Sequence, residues 1–167
     1  MDRIPDRHQF TAPQSTDRRA AVEFAAHQPE QCSRLAVPLV HATGDADDSV
    51  AMLAAEALEM LGPPPAAALP ELVAVLDAAE DGEVVYWAVT LIGRLGPRGA
   101  AATESLTRTL SESPYLPVRE RAAWALARIG TAAASAAAAL RAAADGGPPR
   151  LTRLATQALE SVRGMAA

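Results

Sequence analysis

Lysine and asparagine are absent from this 167-residue chain, isoleucine occurs only three times, and aromatic residues make up 4%. All 15 basic residues are therefore arginine. Such a skew is that of a GC-rich genome and carries no chemistry by itself. The scarcity of β-branched and aromatic side chains argues against an all-β fold. With one cysteine, Cys32, an internal disulfide is excluded. Long hydrophobic runs are missing too. The longest stretch free of charge, residues 129–140, is about a dozen residues, much of it alanine, where a membrane span needs roughly 18 or more apolar residues. The first residues, Met1-Asp2-Arg3-Ile4-Pro5-Asp6-Arg7, are charged and lack the apolar centre of a secretory leader. A cytoplasmic protein without membrane association is the expectation.

What is present is helix-forming: 40 alanines and 18 leucines, in a chain long enough for one domain with a real core. Self-similarity organises it. Gly62, Gly96 and Gly130 are spaced by 34 residues and end the matching segments 57–62, 91–96 and 125–130; a fourth copy, 158–163, follows 33 residues later. Val50, Val84, Val118 and Leu151 fall in phase, as do Ala54, Ala88, Ala122 and Ala155. Within one copy the apolar positions are i, i+4, i+7, i+8 and i+11, one face of an α-helix.

A second helix follows each glycine: Leu69, Leu72 and Leu76 match Thr103, Leu106 and Leu110, then Ala137, Leu140 and Ala144. Gly62-Pro63 and Gly96-Pro97 mark the break, since glycine takes a left-handed C′ conformation and proline does not continue a helix. Asp47 and Asp81 stand at N-cap positions, and Pro117 and Pro149 near helix starts. Each unit is thus a helix pair whose apolar face must stack on a neighbour. The expected fold is all-α, a right-handed α-solenoid of about four helix pairs: 15–43, 47–78, 81–112 and 115–145, with a half-repeat at 149–163. In the first pair, Thr16-Asp17 reads as a capping start for a helix to His27, and 29–42 as a second helix with Pro38 inside it, as Pro70 lies inside another. Residues 1–14 are expected to form a disordered tail.

Helix pairs reading Val-Arg-Glu-Arg-Ala-Ala-Trp-Ala-Leu-Ala-Arg-Ile-Gly at 118–130, followed by an alanine-rich second helix, resemble HEAT repeats over about residues 47–163. The short period is most similar to the HEAT-like repeats first named from phycobilisome lyases. The resemblance implies a solenoid that binds another protein, or alternatively a bilin-lyase-type enzyme or enzyme subunit. It also implies that an arginine just after the first core valine bonds to a neighbouring turn. Only Arg119 fills that place.

Chemistry is sparse. His8, His27 and His41 form no His-Glu pair, and no Cys-x-x-Cys occurs, so no metal or other cofactor is expected. Asp45-x-Asp47-x-Ser49 with Glu56 imitates a calcium loop, but Val50 stands where such a loop wants glycine. No Gly-x-Ser-x-Gly and no phosphate loop is present, and Cys32 reads as a structural thiol. Overall acidity and few aromatics argue against nucleic acid. The expectation is a non-enzyme.

Charge is unevenly distributed. Residues 35–93 hold ten carboxylates and no arginine, whereas 94–167 hold ten arginines and five carboxylates. Asp45, Asp47, Asp77, Glu80, Asp81 and Glu83 cluster before two successive first helices and are expected to form an acidic ridge that binds a basic partner, or the arginine-rich half of a second copy in weak self-association. Tyr86 and Trp124 fall at mostly outward positions; Trp124 lies about 140° from the centre of the core stripe. That leaves two readings for Trp124, a partner contact or a cover over the groove between adjacent first helices.

Overall fold

The computed structural model describes residues 4–28 and 32–164. Among these it contains nine α-helices and no strand: α1 (Ser15–His27), α2 (Ala36–Ala42), α3 (Asp48–Met60), α4 (Leu69–Ala78), α5 (Gly82–Arg94), α6 (Thr103–Glu112), α7 (Leu116–Ile129), α8 (Ala137–Gly146) and α9 (Pro149–Val162). Odd-numbered helices are the first members of each pair and even-numbered helices the second. The phased apolar positions are the core. Val50, Val84, Val118 and Leu151 are buried, as are Ala54, Ala88, Ala122, Ala155 and the leucine-type residues Leu58, Ile92, Leu126 and Leu159. Each large member of this stripe contributes about 1.5–3 kcal/mol by leaving water. The alanines let the next helix approach closely.

Local chemistry sets the helix ends. The Asp47 carboxylate accepts from Ser49 N, and that of Asp81 accepts from Glu83 N and Val84 N, as N-caps of α3 and α5. Pro117 and Pro149 lie at the starts of α7 and α9. None of the second helices has a side-chain cap. Each instead grows out of a 3-10 turn, at Ser33–Leu35, Ala66–Ala68, Gly96–Ala102 and Gly130–Ala136, whose tighter hydrogen bonding satisfies the first helical N–H groups. Gly96 and Gly130 take the positive φ expected of them, 58° and 72°. Leu116–Gly146 is apolar enough on average for a membrane span. The left-handed turn at Gly130 divides it into helices of 14 and 10 residues, each shorter than the roughly 30 Å hydrocarbon layer.

Several expectations need correction. Residues 4–14 are not a disordered tail. Asp6 and Gln9 form a reciprocal capping box on a 3-10 turn, Arg7–Thr11. Phe10 is 4% exposed and part of the core, and Arg7 pairs with Glu71 of α4. Burying one aromatic ring is enough to hold so short a segment down; residues 1–3 lie outside the described part. The capping start at Thr16-Asp17 is not used: α1 begins at Ser15 behind Gln14, which makes no side-chain cap. Pro38 and Pro70 do lie within second helices, in the first turns of α2 and α4, where a missing N–H breaks no intrahelical bond. The expected helix start at Pro29 lies outside the described residues. Gly62 is not a left-handed cap either; α3 ends at Met60 and Leu61 is already extended, with ψ 129°.

Stacking is uneven. Helix α1 packs along α3, and α5, α7 and α9 form a continuous row. Among the described residues no such row joins α3 to α5; α2 packs on α5 instead. The second helices show the same interruption. Helix α6 packs against α8 and, more loosely, α4, while among the described residues α2 makes at most sparse contact with α4. A groove occupies that gap.

Candidate protein-interaction surface

The two acidic loops do come together. Gly44, in the α2–α3 loop, lies so near α5 that a Cβ there would fall 2.8 Å from Val84 Cγ2 and 3.8 Å from Asp81 Cγ. Most carboxylates at this junction are nevertheless committed to the fold. Arg18 of α1 donates to both oxygens of Asp45, at 2.6 and 2.9 Å, and Asp45 also accepts from Asp47 N. The Asp45 side chain is only 9% exposed. Its carboxyl pKa is lowered, chiefly by the hydrogen bond from Arg18. Arg108 and Ser105 of α6 hold Asp77, and Asp47 and Asp81 are the caps. Glu80 and Glu83 remain, together with Asp48, Glu56 and Glu59, exposed and without an ion pair among the described residues. A continuous ridge of free charge is thus reduced to these side chains. The calcium-like spacing is consumed likewise: Asp45 holds Arg18, Asp47 caps α3 and Val50 is core.

Tyr86 and Trp124 belong to a seam between first helices. The Arg121 guanidinium stacks 4.6 Å from the Tyr86 ring and 5.0 Å from the Trp124 ring, and donates to the Tyr86 hydroxyl. Tyr86 meets Trp87 edge to face at 5.7 Å. Trp124 lies over Gly93: a Cβ on Gly93 would fall 2.3 Å from its ring. The groove-covering arrangement is the one observed. In a row of side-by-side helices, a position well off the core stripe faces the neighbouring helix before it faces water. The same reason explains Glu120, which shares the outward register of Tyr86 yet is 7% exposed and paired with Arg150 of α9 at 3.3 Å.

Two features were not legible in the repeat pattern. One is a clasp across the α3–α5 break. Arg94, at the end of α5, donates to the carbonyls of Leu58 and Leu61 at 2.6 and 2.5 Å, closing the C-terminal end of α3. Burial, then the charge of Arg121, lowers its pKa, but a guanidinium stays charged. Beside it, Trp87 Nε1 is buried without a hydrogen-bond partner among the described residues. Arg94→Met keeps the apolar stem and removes both bonds. It is expected to cost about 1–3 kcal/mol, read as a lower urea midpoint at pH 7. An unchanged midpoint would show that the clasp holds nothing. Arg119, by contrast, does what the resemblance implied: its Nε donates to the Leu110 carbonyl at 2.9 Å.

The second feature is the groove between α2 and α4, about 750 Å³ in volume. Val37 and Pro38 of α2 face Ala74, Val75 and Ala78 of α4, over Val84. The N-terminal 3-10 turn, with Arg7 on Glu71, also lines it, and Glu80 and Asp81 follow the last turn of α4. Cys32 is fully buried, and that burial raises its thiol pKa, as suits a structural thiol.

Stacked helix pairs around one core, with turns along the edges and a face of second helices, define an α-solenoid. The family model for HEAT repeats matches residues 69–160, more than half of the chain, and the chain belongs to that family. HEAT repeats are commonly protein-interaction scaffolds. No curated protein matches the chain.

Proposed function

We propose that the chain is a non-enzymatic, cytoplasmic interaction module that binds a protein partner with a basic surface. The observation that supports this is the free carboxylate set, Asp48, Glu56, Glu80 and Glu83, in a segment with no arginine of its own; Glu59 lies in the field of Arg94. Such a field steers a basic partner, and its effect falls with salt. The outer face of α9, where Arg153 is exposed and without an ion pair among the described residues, offers a second copy the same complement. The test is affinity capture from the native host with mass spectrometry, repeated with Asp48→Asn, Glu80→Gln and Glu83→Gln combined. Asp45 and Asp77 are left intact because they hold the fold. The partner is expected to be lost from the variant at moderate salt; equal capture by both proteins at low salt would remove the acidic surface from the contact. The bilin-lyase-type alternative rests on the repeat resemblance, and chromophore absorbance on co-expression with a bilin would favour it.

A further inference from the structure

We infer that the groove between α2 and α4 binds a short helix of the partner, about two turns long. The bound helix carries apolar residues toward the groove and an arginine or lysine at the end beside Glu80. The inference rests on the protein-binding reading above and adds to it a place and a partner chemistry.

Three observations carry it. The first is the interruption in the row of second helices. Helices α4, α6 and α8 are consecutive neighbours, whereas the backbones of α2 and α4 make at most sparse contact, and the space between them is about 750 Å³. That volume is comparable with the roughly 300–1,000 Å³ of ligand clefts, although this groove is open to solvent along its length.

The second is the wall. Glu71, Ala74 and Ala78 fall at i, i+3 and i+7 on α4, so the wall runs about 10 Å, two turns of helix. Ala74 and Ala78 are exposed and small, which lets a helix axis approach to about 8–10 Å. Val37, Val75 and Val84 supply the apolar floor. A solvent-exposed apolar groove of this shape suits a helix laid along it.

The third is the charge at its two ends. Glu71, in the first turn of α4, is neutralised by Arg7. At the other end α4 has no basic residue in its last turn, so its C-terminal carbonyls and the exposed Glu80 carboxylate add negative potential. Asp81 is turned to the N–H groups of α5 and contributes less. His8 lines the groove from the N-terminal turn and His41 from the last turn of α2, and the unpaired Glu80 carboxylate makes its end the more negative of the two. That polarity fixes which end of a bound helix carries the cation.

The test uses the full chain and a phage-displayed library of random 12-residue peptides. Selected peptides are expected to share apolar residues at helical spacing with an arginine or lysine near one end. A synthetic copy of the best one, followed by fluorescence anisotropy, should bind at least about tenfold more weakly to Ala78→Trp and to Ala74→Trp, which fill the groove. It should bind about three- to tenfold more weakly to Glu80→Arg. Thermal melts of the three variants verify their fold. Peptides without a cation, failure to enrich any peptide, or binding unchanged by both tryptophan variants would overturn the inference. A host partner that binds Ala78→Trp as well as wild type would reject the groove while leaving the protein-binding reading intact. Selected peptides lost on groove filling, with no host protein captured, would do the reverse.

Discussion

Leu126→Asp is expected to abolish folding, with loss of the helical circular-dichroism signal at 25 °C. Leu126 is fully buried, and its equivalents Leu58, Ile92 and Leu159 are core in every copy. An unpaired carboxylate in that stripe costs more than about 4–5 kcal/mol, comparable to the whole stability of a domain this size. Trp124→Ala is expected to cost about 2 kcal/mol, because the ring is half-buried and stacked on Arg121 rather than central. Gly93→Ala should destabilise as well, since its new Cβ would meet the Trp124 ring at 2.3 Å. The double variant Gly93→Ala/Trp124→Ala should then be more stable than the sum of the two single losses predicts. Equal melting damage from Trp124→Ala and Leu126→Asp would place Trp124 in the central core, and strict additivity would deny its contact with Gly93.

Asp45→Ala is expected to destabilise the protein by about 2–4 kcal/mol, much more than removal of the exposed Glu80 carboxylate. The pair with Arg18 is largely buried, and removing one partner strands the other. The arginine keeps its bonds to the Ala12 and Pro13 carbonyls, which moderates the loss. Asp45→Asn retains an acceptor for Asp47 N and should fall between the two. The pH dependence follows in sign. The folded carboxyl pKa is depressed below that of the unfolded chain, about 3.9, so the unfolded state binds protons first as pH falls. The stabilisation is full above about pH 5, where the unfolded carboxyl is ionised as well, and is lost progressively as pH falls to the folded value. Denaturant titrations should show the wild type losing its advantage over Asp45→Ala in that acid range. A constant difference from pH 7 to pH 2 would mean that the ion pair contributes nothing.

Period, helix faces, the Asp47 and Asp81 caps, and the turns at Gly96 and Gly130 were all readable from the residue pattern. These depend on interactions within a few residues, and the 34-residue spacing repeats them. The same local reasoning misplaced what neighbours decide. It took residues 4–14 for a tail because they are polar, while one buried ring, Phe10, and the Arg7–Glu71 pair bind them to the fold. Asp45 and Asp77 counted as surface charge because their partners, Arg18 and Arg108, lie 27 and 31 residues away on other helices.

The sequence by itself determined that this is a stack of helix pairs and which side chains form its core, because helical periodicity is a local property. Only the tertiary structure decided which carboxylates remain free, that Trp124 closes the seam over Gly93, and that the row of second helices opens between α2 and α4. Those outcomes depend on how one pair is set against the next. Near-equivalent repeats pack differently when a single residue at the junction, such as Arg94 where the preceding copy has Met60, meets a different neighbour.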